Sequence, residues 1–386
     1  MKEKTTEKKI IEYKPFIFKG NSREFFRIWI VNIALTILTL GIYSAWAKVR
    51  TNRYFYANTY LNNSNFEYNA NPKRILAGRV IVVGLYGLFI LFSQYLAMYH
   101  LAIGIFVIAI LALPWLIRQA VSFKLRNTSY RNVPFRYIGK TRSFYYFFII
   151  NALLPILLII IISVIIHIKL ISAILIFLVS GYIYIKFKEL IINNSYYGAN
   201  GRFRFFGTIG EVYGIYLKIA GWLLIIGLLA TICLAIVSEI IGNIEFLSEF
   251  IHKIKAQMDN PSQPFLVLFI SILMTFIYLP IIFFQKGLSD AYHLNFVNNN
   301  TLLNNAHLKG DINPLKLAWI SATNILAIIL SLGLLYPWTK IRYFKYKLEH
   351  IYFRCSDYEQ FKSLGYETGS ALGEESIDFF DIDIGL

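Results

Sequence analysis

A chain of 386 residues with 57% hydrophobic and only 16% charged residues, and a mean hydropathy of +0.54, cannot clothe a soluble domain, whose surface needs about a quarter charged residues. Its net charge of +16 would suit nucleic acid, but the Lys and Arg residues flank apolar runs instead of filling one polar domain, so they read as the basic side of a membrane protein and nucleic acid is set aside. Cys233, in an apolar run, and Cys355, near the end, supply neither a disulfide framework nor a zinc ligand set.

The first nine residues are polar and carry no short apolar core with a cleavage site behind it, so no signal peptide is expected. Eight apolar segments follow, at about 25–46, 77–97, 100–123, 144–167, 169–188, 213–238, 264–285 and 315–338. Most approach the roughly 20 residues that cross a bilayer as helix, and they are continuous where membrane strands would alternate, so a transmembrane barrel is set aside. The second and third segments, and the fourth and fifth around His167 and Lys169, read as tight helical hairpins. The link 239–263 is acidic. The remaining junctions are basic and belong on the cytoplasmic side; Lys140, Arg142, Lys186, Arg202 and Arg204 are among their cations.

Those junctions share a pattern. Phe66 to Ala70, Phe135 to Gly139, Phe203 to Gly207, Ala306 to Gly310 and Phe16 to Gly20 alternate and end on a small residue, with Asn-rich elements upstream at Asn58-Thr59, Asn127-Thr128 and Asn193-Asn194-Ser195. Alternation around an Asn or Gly turn signals short surface β-hairpins, clearest at Ala199-Asn200-Gly201. The strand at 347–353 has no downstream partner and Phe16 to Phe18 no upstream one, so these two are expected to pair. The phrase Asn32, Leu38, Leu40, Gly41, Trp46, Lys48, Arg50 recurs as Asn324, Leu330, Leu332, Gly333, Trp338, Lys340, Arg342, and Gly20, Arg23, Phe25 and Asn32 are spaced like Gly139, Arg142, Phe144 and Asn151. Internal duplication follows. The expected fold is an all-α polytopic membrane protein of about eight transmembrane helices, built from repeats, with β-hairpins at the membrane surface. It spans residues 1–354, and residues 355–386 form an acidic, mobile tail.

One conflict stands. If all eight segments span, both termini face away from the basic loops although they are equally basic. A re-entrant first segment is opposed by the lack of Gly or Pro in 28–40 and by a length that suits one span better than two arms, so spanning is the expectation.

Two groups are candidates for function. Trp46, Lys48 and Arg50, with Trp338, Lys340 and Arg342, suit a helix exit, the indoles in the headgroup layer and the cations on phosphates; a site for an anionic lipid or solute is the functional alternative. Asn32, Asn151 and Asn324 lie in apolar helices, as interhelical ties or as the lining of a polar pathway. Pro114, Pro155, Pro280 and Pro337 can open helical hydrogen bonds. No segment centre carries a carboxylate, which weakens an ion-coupled pump. No catalytic, cofactor-binding or metal-ligating set is read, and an enzyme is not expected.

Phe16-x-Phe18-x-Gly20, the run Thr39 to Arg50, Arg53-Tyr54-Phe55, Asn58-Thr59, Phe66-x-Tyr68 and Tyr336-Pro337-Trp338-x-Lys340-x-Arg342 resemble the YjgN-like family of bacterial integral membrane proteins (domain of unknown function 898). The resemblance covers about residues 14–354 and is specific at both ends. It implies a multi-pass protein of the bacterial inner membrane and carries over no site. Two functions are weighed: transport or permeation of a small or anionic solute, and a non-catalytic membrane scaffold that binds anionic lipid. Membrane lipids are the expected partners.

Overall fold

The computed structural model describes residues 13–166, 169–243 and 264–355; His167, most of the acidic link and the acidic tail lie outside the described residues. Eleven short strands are present: β1 Tyr13–Pro15, β2 Ile17–Phe18, β3 Thr59–Leu61, β4 Ser64–Tyr68, β5 Thr128–Tyr130, β6 Val133–Tyr137, β7 Ser195–Tyr197, β8 Gly201–Phe205, β9 Thr301–Leu303, β10 Ala306–Gly310 and β11 Ile351–Arg354. They form one antiparallel sheet in the order β1-β11-β10-β9-β8-β7-β6-β5-β4-β3-β2. The two ends of that order, β1 and β2, are separated in the chain by Phe16 alone, whose N–H donates to Ile351 O at 3.0 Å. The sheet therefore nearly closes on itself.

This overturns the expected all-α class. The surface hairpins are not separate decorations: β4 pairs with β5, β6 with β7, and β8 with β9. An isolated two-stranded hairpin is marginal in water and leaves two raw edges, and pairing each hairpin to the next removes both defects. The expected partnership of the terminal strands is present, shifted by a few residues. Tyr13, Lys14 and Pro15 lie opposite Arg354, Phe353 and Tyr352, while Ile17 and Phe18 turn to Tyr60 and Thr59.

Alternation sorts the side chains. Leu61, Tyr130, Tyr197, Leu303, Ala306 and Phe353 are buried together, packed by Phe16, Phe66, Phe135, Phe203 and Leu308. Their rings follow one another around the inside, Phe66 to Tyr130 at 4.7 Å and Phe135 to Tyr197 at 5.1 Å. The buried hydroxyls find acceptors, Tyr130 donating to Leu61 O at 2.7 Å and Tyr197 to Tyr130 O at 3.0 Å. The intervening positions, Arg202, Arg204, His307 and Lys309, are exposed. Polar outside and apolar inside, with strands of two to five residues, this sheet is the inverse of a membrane barrel.

The Asn-rich elements are helix ends. Asn58, Asn127, Asn194 and Asn300 each donate Nδ2 to the carbonyl four residues back, at 2.8, 2.8, 2.7 and 3.1 Å. Each following hydroxyl, Thr59, Thr128, Ser195 or Thr301, does the same at 2.6–2.9 Å. Carbonyls orphaned at a helix C-terminus are thereby satisfied where the chain turns into a strand. At the other end, Gly20, Gly139 and Gly207 must be small because a Cβ there would run into the ring of Phe18, Tyr137 or Phe205.

The helices are α1 Ser22–Leu38, α2 Ser44–Ala57, α3 Pro72–Ile90 with a π turn to Tyr95, α4 Tyr99–Arg126, α5 Thr141–Tyr146, α6 Leu154–Ile166, α7 Lys169–Ile192, α8 Ile209–Asn243, α9 Pro264–Asn299, α10 Pro314–Leu330 and α11 Tyr336–Glu349. Among the described residues five stretches are long and apolar enough to cross a membrane: 72–95, 99–126, 141–164, 171–192 and 209–232. Eight spans are not supported. The first and last apolar segments fail because each is a helix–turn–helix. Leu40 and Gly41 reverse the first at φ of 49° and 92°, and Leu332 and Gly333 the last at 50° and 89°. The glycine that permits the reversal stands just beyond the stretch 28–40. By connectivity every helical excursion begins and ends at a strand of the one sheet, which puts both terminal strands beside the basic junctions and removes the conflict over the termini.

The contacts divide the chain into two units. One holds the whole sheet with the helices up to 209. The other holds residues 210–295 and 311–347, where Ala291, Ile312, Leu317, Ile320 and Tyr346 form a buried cluster. Gly287 there meets the backbone of Ala318, and Asn295 binds Ile312 through both its amide atoms, at 2.8 and 2.9 Å.

Candidate functional site

Pro155 has no N–H to give to the carbonyl of Asn151, and its ring crowds that carbonyl. The helix answers with a π-bulge at Phe147–Leu153, between α5 and α6. Such bulges recur at functional sites. Asn151 lies in this bulge, and its Oδ1 accepts from the Tyr182 hydroxyl of α7 at 2.6 Å.

Asn151 lines a cleft of about 590 Å³ with Lys140, Arg142, Ser143, Tyr146, Lys186, Glu189 and Arg202, among others. Three elements meet there: the start of α5, the last turns of α7, and β8. Four cations face one carboxylate. Glu189 is taken by Lys186 at 2.8 Å, a half-exposed pair worth at most about 1 kcal/mol. Lys140, Arg142 and Arg202 are exposed and form no ion pair among the described residues. The wall is fixed by Asn193, whose Oδ1 accepts from Phe205 N at 2.7 Å, and by the cap of Asn194 on Leu190. An open cleft with three free cations, a neutral amide and hydroxyls is equipped to hold a phosphate-like anion.

The other expected residues lie elsewhere. Asn32 and Asn324 tie their own helical hairpins: Asn32 Nδ2 donates to Ala47 O at 3.4 Å, and Asn324 Nδ2 to Thr339 O at 3.1 Å. Arg342 is brought to Asn324 Oδ1 at 3.2 Å and Thr323 Oγ1 at 2.9 Å, over the ring of Trp338 at 5.2 Å. Lys340 lies over Tyr336 at 5.7 Å. In the first hairpin Trp46 stacks on Tyr43 at 6.2 Å, Lys48 is half-buried, and Arg50 is exposed. Asn32 and Arg50 are not brought together. Pro337 opens α11 rather than kinking a span.

Sequence reasoning had Asn151 but treated Lys140, Arg142, Lys186 and Arg202 only as junction cations. A signal existed in the spacing that makes Arg142 and Asn151 correspond to Arg23 and Asn32. Lys186 and Arg202 carried none, since they join the cleft only through the packing of α7 and the pairing of β7 with β8.

The family described as "Bacterial protein of unknown function (DUF898)" matches residues 13–379. The inner membrane protein YjgN of Salmonella typhimurium strain LT2 is 27% identical over 202 residues, which is 47% of this chain and 50% of that protein. Its namesake in Escherichia coli K12 is 41% identical over 78 residues, 20% of this chain and 18% of that one. The chain thus spans half the length of the first relative and under a fifth of the second. No solved structure matches.

Proposed function

The chain belongs to the DUF898 family and is a multi-pass inner-membrane protein, and from that premise we propose that it is a non-catalytic membrane protein holding an anionic, phosphate-bearing lipid headgroup. The carrying observation is the cleft of Lys140, Arg142, Lys186 and Arg202 around Asn151. It opens where α5 and α7 pass from their apolar stretches into the basic junctions, the height at which a headgroup phosphate sits. The positive-inside rule puts the sheet, which carries those junctions, in the cytoplasm. The recurrent Asn and hydroxyl caps, and the matching hairpins at the two ends, support descent from one duplicated unit.

Transport of a solute is the weaker reading. It needs a polar route, and the inside of the sheet is filled with aromatic rings. Native mass spectrometry of the full chain, purified in mild detergent, tests the proposal. Wild type should retain phosphatidylglycerol or cardiolipin, and Lys140→Ala/Arg142→Ala/Arg202→Ala should lose it while keeping phosphatidylethanolamine. An unchanged lipid profile would count against the cleft. Titration with inorganic phosphate separates the sources: a free anion as ligand predicts phosphate binding that the triple variant abolishes without altering bound lipid.

A further inference from the structure

The two helical hairpins at the chain ends expose apolar tips that no described residue covers. Leu40 is 95% and Leu332 94% exposed, with Leu38 at 78% and Leu330 at 76%, and Ile42 and Leu334 beside them. We propose that each tip is a wedge in the acyl layer of a single leaflet, the leaflet on the side of the β-sheet, entering and leaving without crossing. The occupant of these surfaces is lipid hydrocarbon.

Length and connectivity argue first. α1 and α10 have 17 residues each, about 25 Å of helix against a hydrocarbon core of roughly 30 Å. The chain enters the first hairpin from β2 and leaves it into β3, and enters the second from β10 and leaves it into β11, all strands of one sheet. A crossing would have to be undone within α2 or α11, of 14 residues each.

The backbone of the turns argues second and independently. Irregular chain in hydrocarbon must satisfy its own polar groups. Leu40 N donates to Ile37 O, Gly41 N to Thr36 O at 2.7 Å, Ile42 N to Thr39 O and Ser44 N to Gly41 O. Tyr43 N is taken by the Thr39 hydroxyl at 2.9 Å, and that hydroxyl donates to Leu35 O. The second turn repeats this: Gly333 N donates to Ile328 O at 2.8 Å, Leu334 N to Ser331 O and Tyr336 N to Gly333 O, and the Ser331 hydroxyl accepts from Leu335 N at 3.0 Å. Closed in this way, both turns can enter hydrocarbon without leaving these N–H groups unpaired.

The base of each hairpin argues third. Below the tips stand Trp46, Lys48 and Arg50, and Trp338, Lys340 and Arg342, an aromatic and basic collar of the kind found at headgroup level. The collar and the tip fix the depth together: the indoles and the exposed Arg50 at headgroup level, the leucines about one or two turns deeper.

Single cysteines in the full chain, in a Cys233→Ala/Cys355→Ala background, test this in sealed vesicles of both orientations. A membrane-impermeant maleimide should label Asn63→Cys, at an exposed hairpin of the sheet, from one side, and should label Leu40→Cys and Leu332→Cys from neither. A spin label at the same two positions should collide more with oxygen than with a water-soluble nickel chelate. Labelling from the side opposite Asn63→Cys would make the segment a span, and labelling from the same side would leave the tip in water; either result overturns the proposal. Ile42→Cys and Leu334→Cys give the same readings should the left-handed positions reject cysteine.

Discussion

In the hairpin of α10 and α11, Arg342 reaches back to Thr323 and Asn324, whereas in that of α1 and α2 the corresponding Arg50 is exposed and Asn32 Oδ1 is buried with no hydrogen-bond partner among the described residues. The backbones are alike: 17 residues, a Leu-Gly reversal, 14 residues, with an N-cap Asn accepting at the start, Asn21 from Arg23 N and Asn313 from Lys316 N. The difference lies in the neighbours. Thr323 gives Arg342 a second acceptor where Val31 gives Arg50 none, so the guanidinium folds in at one end of the chain and stays out at the other. The turn and the Asn tie are what the hairpin requires, and the Arg is an added lock.

Removing the amide should separate the two most sharply. Asn324→Leu deprives both Arg342 and Thr339 O of a partner and should cost about 1.5–3 kcal/mol, the range for hydrogen bonds involving a charged group. Asn32→Leu removes one long bond and an unmatched oxygen, and should cost less than about 1 kcal/mol. Thermal unfolding in detergent reads both, and equal losses would break the distinction. Gly41→Ala and Gly333→Ala come next, at about 1–2 kcal/mol each for an alanine forced to positive φ, and should be equal because the turns are. Val31→Thr should then install the missing lock, raising stability by about 0.5–1 kcal/mol, a gain that Arg50→Gln erases.

The remaining effect is in pH. Burial, reinforced by the nearby Glu24 carboxylate, pushes the Tyr54 hydroxyl up to about 12. Its bonds to Asn21 hold it at the hairpin base, away from the tip. Unfolded tyrosine ionises near 10. A raised folded value means that Tyr54's contribution is complete below pH 10 and lost as pH climbs through about 12. Unfolding followed across that window should show a loss that Tyr54→Phe reduces. The matching Tyr346 has Lys316 over its ring at 5.1 Å where Tyr54 has Glu24, so Glu24→Lys should narrow the window toward lower pH.

Much of the hairpin was legible. Leu40-Gly41 and Leu332-Gly333 stood in matching phrases, and the two Asn residues were singled out; what misled was length, because a mostly apolar stretch of 22 residues looks like one span until the αL pair is seen to reverse it. The terminal strand pairing was legible because each strand lacked a local partner. The cleft was half legible: Pro155 and Asn151 are four apart, which is a local fact, but Arg202 reaches it through strand pairing, which is not.

Sequence alone determined which stretches form surface strands, which faces of those strands are apolar, and that the chain lives in a bilayer. These follow from hydrogen bonds and burial over a few residues, and hydropathy over about 20. Only the tertiary structure decided that the hairpins form one nearly closed sheet, that the first and last apolar segments return to it, and that cations from three elements meet beside Asn151. Antiparallel pairing joins Tyr13 to Arg354, and nothing within the reach of a local interaction specifies a partner so far along the chain.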